Sequence, residues 1–300
     1  MFKACIIGSS KIVYHHINAI QANNIELYSI CSTRKISKNS KNIQKKFNIP
    51  KIFDNWKKCI DEVSKEKNVF FLVCPRVNDT FKIVKYIVLK KKIVFCEKPL
   101  SLNPKEIKSL FPFMKYVFIG YNRIFYKSVQ YLKKLSLSDS QISVTCPEQS
   151  KKSFLLNSCH ILSILIFVFK KLEIKFKIEN KNFIYCVLED NKKNLISLSI
   201  NFKTPSTFGI TIKNDKKDIK LNPIETMVIY NKITLMKKKN LNFYYQKKQF
   251  EIDLNKEKGK PGFFRQYKEF KKTLLKGKVN KNADLKLAFE VMNLGKKIVK

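Results

Sequence analysis

The first 120 residues alternate short apolar runs with longer amphipathic stretches, and this alternation restricts them to strands joined by crossover helices in a parallel sheet. Strands are predicted over 3–7, 26–31, 69–74, 93–96 and 117–120, the last read as the sixth of its sheet. Helices are predicted over 12–22, 40–47, 56–66, 80–90 and 104–110. Pro75 stops the buried run Phe70-Phe-Leu-Val-Cys74, and Pro104 opens a helix near its first turn. Six strands with intervening helices and tight loops are the arithmetic of a doubly wound, dinucleotide-type sheet.

Beyond Gly120 the pattern changes. A helix is predicted over 126–135, followed by strand-like runs at 142–146, 174–178, 183–188, 195–202, 209–213, 227–230 and 241–245. Asn-Asp and Asp-Asn turn pairs separate several of them, which predicts a mostly antiparallel sheet with one or two helices on a face. Residues 262–300 return to helical periodicity through Phe263, Phe264, Tyr267, Phe270, Leu274 and Leu275. The expected fold class is therefore α/β: a Rossmann-type doubly wound parallel sheet over 1–120, then an α+β domain over 121–300 whose last helix packs back.

Composition raises one competing function. The chain has 61 Lys+Arg against 23 Asp+Glu, a formal net charge of +38, which would suit a polyanion. The basic residues, however, run from Lys3 to Lys300 without clustering, and only Arg34, Arg76, Arg123 and Arg265 are the arginines that best fork phosphates and guanine edges. A joint excess of Lys, Asn, Ile and Phe points instead to an AT-rich genome acting on surface positions, so the distribution of the charge weighs against nucleic acid as the partner, and charge-driven nucleic-acid association stays as a third hypothesis. The eight cysteines have neither C-x-x-C spacing nor a zinc-like His spacing. They read as small buried hydrophobes in a reducing compartment, with no metal site. The N-terminal apolar run is too short for a signal peptide and no charge-free stretch of 18 residues follows, so a cytoplasmic protein without a membrane segment is expected.

The first strand runs directly into Ile7-Gly-Ser-Ser-Lys-Ile-Val13. In a dinucleotide fold this turn delivers backbone N–H groups at a helix N-terminus to a pyrophosphate. Of the three usual glycines only Gly8 is kept; Ser10 and Val13 take the other two places. Taken alone, the motif is equally an ordinary strand–helix turn. The second strand ends in Cys31-Ser-Thr-Arg-Lys35, with no acid to hold a ribose. Ser32, Thr33, Arg34 and Lys35 would suit a 2′-phosphate, favouring NADP over NAD; a basic surface loop is the other reading.

The strand 93–96 leads into Glu97-Lys98-Pro99, placing a lysine at the carboxyl edge of the sheet, where ligands bind in open α/β folds. Here the chain resembles the glucose–fructose oxidoreductase, inositol dehydrogenase and rhizopine-catabolism (Gfo/Idh/MocA) oxidoreductases. The resemblance extends through the Ile-Ile-Gly start with His16 in the first helix, Lys46-Phe-Asn-Ile-Pro50 and Pro75. It continues through Glu97-Lys98-Pro99, Gly120-Tyr-Asn-Arg123, Asn157-Ser-Cys-His160 and Pro261-Gly-Phe-Phe264.

The resemblance implies hydride transfer between a nicotinamide and a hydroxyl or keto carbon of a sugar, cyclitol or nucleotide-linked sugar. It makes Lys98 the partner of the reacting oxygen and His160 the proton shuttle, roles that suit an ammonium and an imidazole. It also implies cofactor contacts from Gly8, Ser9, Ser10, Lys11, Ile12, Ser32, Thr33, Arg34, Cys74, Pro75, Glu97 and Lys98. Substrate contacts would come from Lys98, Asn122, Arg123, Tyr126, Asn157 and His160. Dimerisation, common in the family, leaves a homo-oligomer open. The acids that usually flank the histidine are replaced here by Leu156, Asn157 and Ser163, and two phosphate-loop glycines are lost. A catalytically degenerate member, acting as a sugar- or nucleotide-binding or partner subunit, is the alternative.

Overall fold

A computed structural model of the chain describes residues 1–238 and 241–300. The chain divides into two compact units, Met1–Phe125 with Gly262–Asn293 and Tyr126–Pro261 with Leu294–Lys300.

In the first unit the order is β1 (Lys3–Ile7), α1 (Ile12–Ala22), β2 (Glu26–Cys31), α2 (Lys38–Phe47), β3 (Lys51–Phe53), α3 (Trp56–Val63), β4 (Val69–Val73), α4 (Val77–Leu89), β5 (Ile93–Cys96), α5 (Pro104–Ser109) and β6 (Val117–Ile119). The strands form one sheet in the order β3-β2-β1-β4-β5-β6, every neighbouring pair parallel. This is the doubly wound topology the alternation predicts, with the order reversing between β1 and β4. Helices on both faces leave β4 buried throughout, which is why Val-Phe-Phe-Leu-Val lacks polar alternation. The strand that the sequence counts without placing is β3, three half-buried residues at the sheet edge, too few to show a period of two. The helix starts are set by short polar side chains: Ser37 and Ser40 form a reciprocal capping box on α2, and Asn55 and Asn103 cap α3 and α5.

The second unit contains α6 (Lys127–Leu132), β7 (Gln141–Glu148), α7 (Lys151–Ser153), α8 (Cys159–Phe169), β8 (Leu172–Glu179), β9 (Phe183–Asp190), β10 (Leu195–Phe202), β11 (Gly209–Lys213), β12 (Asp218–Leu221), β13 (Thr226–Lys238) and β14 (Leu241–Asp253). Its eight-stranded sheet runs β14-β13-β12-β11-β7-β10-β9-β8. Only the β7–β10 pair is parallel; the other pairs are antiparallel. In β9, Ile184, Cys186, Leu188 and Asp190 point inward while the residues between them do not, the period-two signature of a sheet with one packed face. Between α7 and α8, Phe154–Ser158 forms a π-turn, so Lys151–Phe169 is one nearly continuous helix. By length and composition that segment could span a membrane, but 72% of it is buried within the fold, as a core helix would be.

The chain then returns to the first unit with α9 (Phe263–Lys276), and α10 (Leu285–Val299) follows. The aromatic spacing of 262–300 is explained by where α9 packs. The Phe270 ring lies 4.8–5.2 Å from those of Phe70, Phe95 and Phe118, and Tyr267 stacks on Phe95 at 4.7 Å. A helix from the far end of the sequence thus covers the centre of the parallel sheet.

Candidate functional site

In the first unit the carboxyl ends of β1, β2 and β4 converge at the point where the strand order reverses. Gly8 leaves β1 at φ +114°, and a Cβ there would lie 2.5 Å from the Cys74 carbonyl oxygen; no other residue fits this turn. Its amide donates to the Cys31 carbonyl at 2.8 Å, while the Cys74 amide donates to the Ile7 carbonyl at 2.9 Å. The three strand ends are therefore locked together at Gly8.

A cleft of about 480 Å³ opens over this junction, lined by Gly8, Ser9, Ser10, Ser32, Thr33, Arg34, Lys35, Ser37, Cys74, Pro75, Arg76 and Asp79, within the usual size range of ligand sites. Eight of the sequence-predicted cofactor residues meet here: Gly8, Ser9, Ser10, Ser32, Thr33, Arg34, Cys74 and Pro75. Lys11, Ile12, Glu97 and Lys98 do not line the cleft. Ser10, in the second glycine's place, is exposed and its hydroxyl donates back to the Cys74 carbonyl at 3.5 Å. Val13, in the third glycine's place, is fully buried in α1.

The loops after β1 and β2 are stitched to each other. Ser9 and Ser37 share a hydroxyl contact at 3.2 Å, Asn39 donates its amide to the Ser9 carbonyl, and Ser32 donates to Ser40 at 2.9 Å. Arg34 and Lys35 stay exposed at the rim, and Arg76, from the loop after β4, adds a third cation. The backbone passage at Gly8, which a Cβ would fill, together with hydroxyls and three cations, fits the phosphate-bearing half of a dinucleotide. Burial, and secondarily the Glu97 carboxylate, push the Cys74 and Cys96 thiols well above the ordinary range. The one cysteine lining the cleft, Cys74, is consequently a thiol and not a nucleophilic thiolate.

Lys98 lies two residues beyond the end of β5, half-buried, and its peptide bond to Pro99 is cis. Its amide donates to Glu97 Oε2 at 3.1 Å, while the Glu97 amide donates to the Val73 carbonyl at 2.8 Å. Asn122 is buried and Arg123 half-buried in the 3₁₀ turn Asn122–Phe125 that follows β6.

The remaining candidates belong to the second unit. Tyr126 is 3% exposed and its hydroxyl donates to Glu225 at 3.4 Å. His160 sits half-buried in the first turn of α8, and Ser163 donates to its carbonyl at 2.7 Å. Asn157, on the π-turn just before it, is exposed and donates its amide to Glu148 Oε2 at 3.3 Å. Ser158 donates to Glu148 Oε1 at 2.5 Å, and Glu148 is only 5% exposed. A buried carboxylate from the end of β7 therefore supports the helix start that lacks its own acids. Sequence reasoning missed it, although an acid at an inward-facing strand position was the available signal. It likewise missed Ser37 and Arg76 in the cleft, which only the strand order brings there. Among the described residues, no group of three or more His, Cys, Asp or Glu is arranged to hold a metal ion.

A parallel, doubly wound sheet whose β1 turn, β2 end and β4 end enclose a cationic cleft defines a dinucleotide-binding type of α/β domain. Residues 2–116 match the model of the Gfo/Idh/MocA oxidoreductase family, NAD-binding Rossmann fold. Over these residues the chain is similar to the NAD-binding domain of that family. No curated protein matches the sequence. Among solved structures, a dehydrogenase from Chromobacterium violaceum shares the fold at a TM-score of 0.79 and 12% identity, covering 99% of this chain and 94% of its own. An Agrobacterium radiobacter oxidoreductase, solved in complex with NAD+, L-tartaric acid and magnesium, does so at 0.74 and 12%, covering 98% and 94%. Levoglucosan dehydrogenase in complex with NADH and L-sorbose matches at 0.77 and 10%, covering 99% and 95%.

Proposed function

We propose that this protein is a dehydrogenase or reductase that uses NADP in preference to NAD and moves a hydride to or from a hydroxyl or keto carbon of a small sugar-like molecule. Sugars, cyclitols and nucleotide-linked sugars form the substrate class. The observation that carries the cofactor reading is the cleft at Gly8, whose β2 rim offers Arg34 and Lys35 and no acid. An acid there would accept the ribose hydroxyls of NAD, whereas the cations and neighbouring hydroxyls complement a 2′-phosphate. Gly8, Ser9 and Ser10 would hold the pyrophosphate, and Ser32, Thr33, Arg34 and Lys35 the adenosine end. The solved dehydrogenase that carries L-sorbose supports the substrate class.

When bound, the nicotinamide supplies the hydride acceptor for alcohol oxidation or the donor for the reverse. The Lys98 ammonium hydrogen-bonds the reacting oxygen and stabilises negative charge as it develops there. His160 accepts the hydroxyl proton during oxidation and returns it during reduction. Asn157 cannot take a proton but can bond a substrate hydroxyl, with Glu148 fixing its amide. The buried Glu148 favours a working site over a decayed one, because it compensates for the acids absent beside His160.

The test is turnover of NADPH or NADP on a panel of aldoses, ketoses, cyclitols and nucleotide-linked sugars. The expected result is activity that falls by about a hundredfold or more in Lys98→Ala and in His160→Ala, the usual scale for proton-transfer groups. Full activity in either variant would remove that residue's role. A wild-type chain that binds the cofactor and turns over no member of the panel would favour the degenerate, binding-only reading.

A further inference from the structure

Behind the strand end that carries Lys98 runs a buried polar chain. His16, in α1, is 0% exposed. Its Nε2 lies 2.8 Å from Glu97 Oε1 and its Nδ1 lies 2.9 Å from the Tyr267 hydroxyl. The other carboxylate oxygen of Glu97 accepts the Lys98 amide at 3.1 Å. Hydrogen bonds thus run Tyr267–His16–Glu97–Lys98 and join three separate segments of the first unit: α9, the helix that follows the Gly8 turn, and the end of β5.

The proton positions follow from what each group can do. A carboxylate only accepts, so Nε2 carries the hydrogen facing Glu97. Burial pushes the Tyr267 phenol well above its ordinary range, so its hydroxyl keeps its proton and donates to Nδ1. The neutral Nε2–H imidazole therefore satisfies every member, whereas an imidazolium would leave the buried Tyr267 hydroxyl hydrogen without an acceptor. The rings of Phe95, Phe263 and Tyr267 surround His16 at 5.0–5.7 Å. They fix its plane and leave it little freedom to choose other partners.

We propose that Tyr267 and His16 are positioning residues for Lys98, acting through Glu97; the proposal rests on the hydride-transfer reading above. Held on one oxygen by His16, Glu97 presents the other to the Lys98 amide. That fixes the backbone from which the ammonium reaches the reacting oxygen. A polar chain from a helix 170 residues downstream then sets the aim of the catalytic lysine, an arrangement consistent with the sensitivity of reaction rates to small misplacements.

Tyr267→Phe tests this with little risk to folding, since it removes one oxygen and keeps the ring stacked on Phe95. Two measurements are needed. The first is a nitrogen-15 correlation spectrum of histidine-labelled protein, which has three imidazoles to resolve, His15, His16 and His160. We expect His16 as the Nε2–H tautomer, with its Nδ1 signal moving in Tyr267→Phe while those of His15 and His160 stay. The second is kinetics on whichever panel sugar is turned over. Here kcat should fall about tenfold in Tyr267→Phe, within the range seen when an outer partner of a reactive group is removed. The NADPH dissociation constant should stay within about twofold, and Tyr267→Phe should slow Lys98→Ala no further.

A purely structural role would instead give losses that add to those of Lys98→Ala. That result, an unchanged kcat, or an unmoved His16 signal overturns the proposal. Its failure is separable from failure of the enzymatic reading. In the first case the wild type is active and Lys98-dependent while Tyr267→Phe is neutral or additive. In the second the wild type turns over nothing, and the positioning role falls with the reaction.

Discussion

The α-carbon of Gly8 packs so closely on the Cys74 carbonyl oxygen that any Cβ at position 8 would sit 2.5 Å from it, in a backbone conformation at φ +114°. This contact joins the turn that would carry a pyrophosphate to the end of β4. Gly8→Ala therefore meets both a clash and a left-handed backbone, and should cost about 2 kcal/mol or more in urea unfolding. It should also abolish NADPH saturation at concentrations that saturate the wild type. Wild-type NADPH affinity in Gly8→Ala would mean that the cleft is not the nucleotide site.

The cations at the β2 end carry a separate prediction. Replacing Arg34 and Lys35 together by alanine removes the charge-assisted bonds available to a 2′-phosphate, which at an exposed rim are worth about 1.5–3 kcal/mol for the two together. NADPH affinity should drop by roughly tenfold to a hundredfold, while NADH affinity changes little. Equal losses for both cofactors in fluorescence titration would show a general electrostatic effect in place of 2′-phosphate recognition.

Much of this was legible in the residues, and the rest was hidden for identifiable reasons. Uninterrupted apolar runs gave β1, β4 and β5, because strands covered on both faces need no polar alternation. Three-residue β3 carries no periodic signal. The Glu97-Lys98-Pro99 and Asn157–His160 segments could be found by resemblance, but not Glu148 or Tyr267. Their importance depends on which distant segments meet, with Glu148 paired to Ser158 across 10 positions and Tyr267 to His16 across 251. Ser10 and Val13 look damaging in a motif, yet the Ser10 side chain turns back toward Cys74 and the cleft stays open.

Glu148 provides a stability test of the second unit. Glu148→Ala leaves the buried Ser158 hydroxyl and the Asn157 amide without their acceptor, which should cost about 1–3 kcal/mol. Glu148→Gln, which can still accept one bond, should lose less. Urea midpoints that are the same for both variants and the wild type would show that the carboxylate does not hold the start of α8.

Lys133 supplies a pH signature. Its ammonium donates to the Val168 carbonyl at 3.0 Å. Burial, then the neighbouring Lys170 and Lys192, bring it down from 10.5 to about 8. Below that value both folded and unfolded chains hold the proton, so the folded state bears the full penalty. Between about 8 and 10.5 the unfolded chain binds more protons, and the stability contribution of Lys133 rises with pH. The melting temperature of the wild type should therefore gain on that of Lys133→Met across this window. Parallel profiles for the two proteins would contradict the assignment.

The central claim, that a nicotinamide dinucleotide binds in the Gly8 cleft, is tested most directly by titrating the purified protein with NADPH and NADH while following nicotinamide fluorescence. The account predicts saturable binding of both, tighter for NADPH, with the preference lost when Arg34 and Lys35 are replaced by alanine. No binding of either nucleotide at millimolar concentration would contradict it.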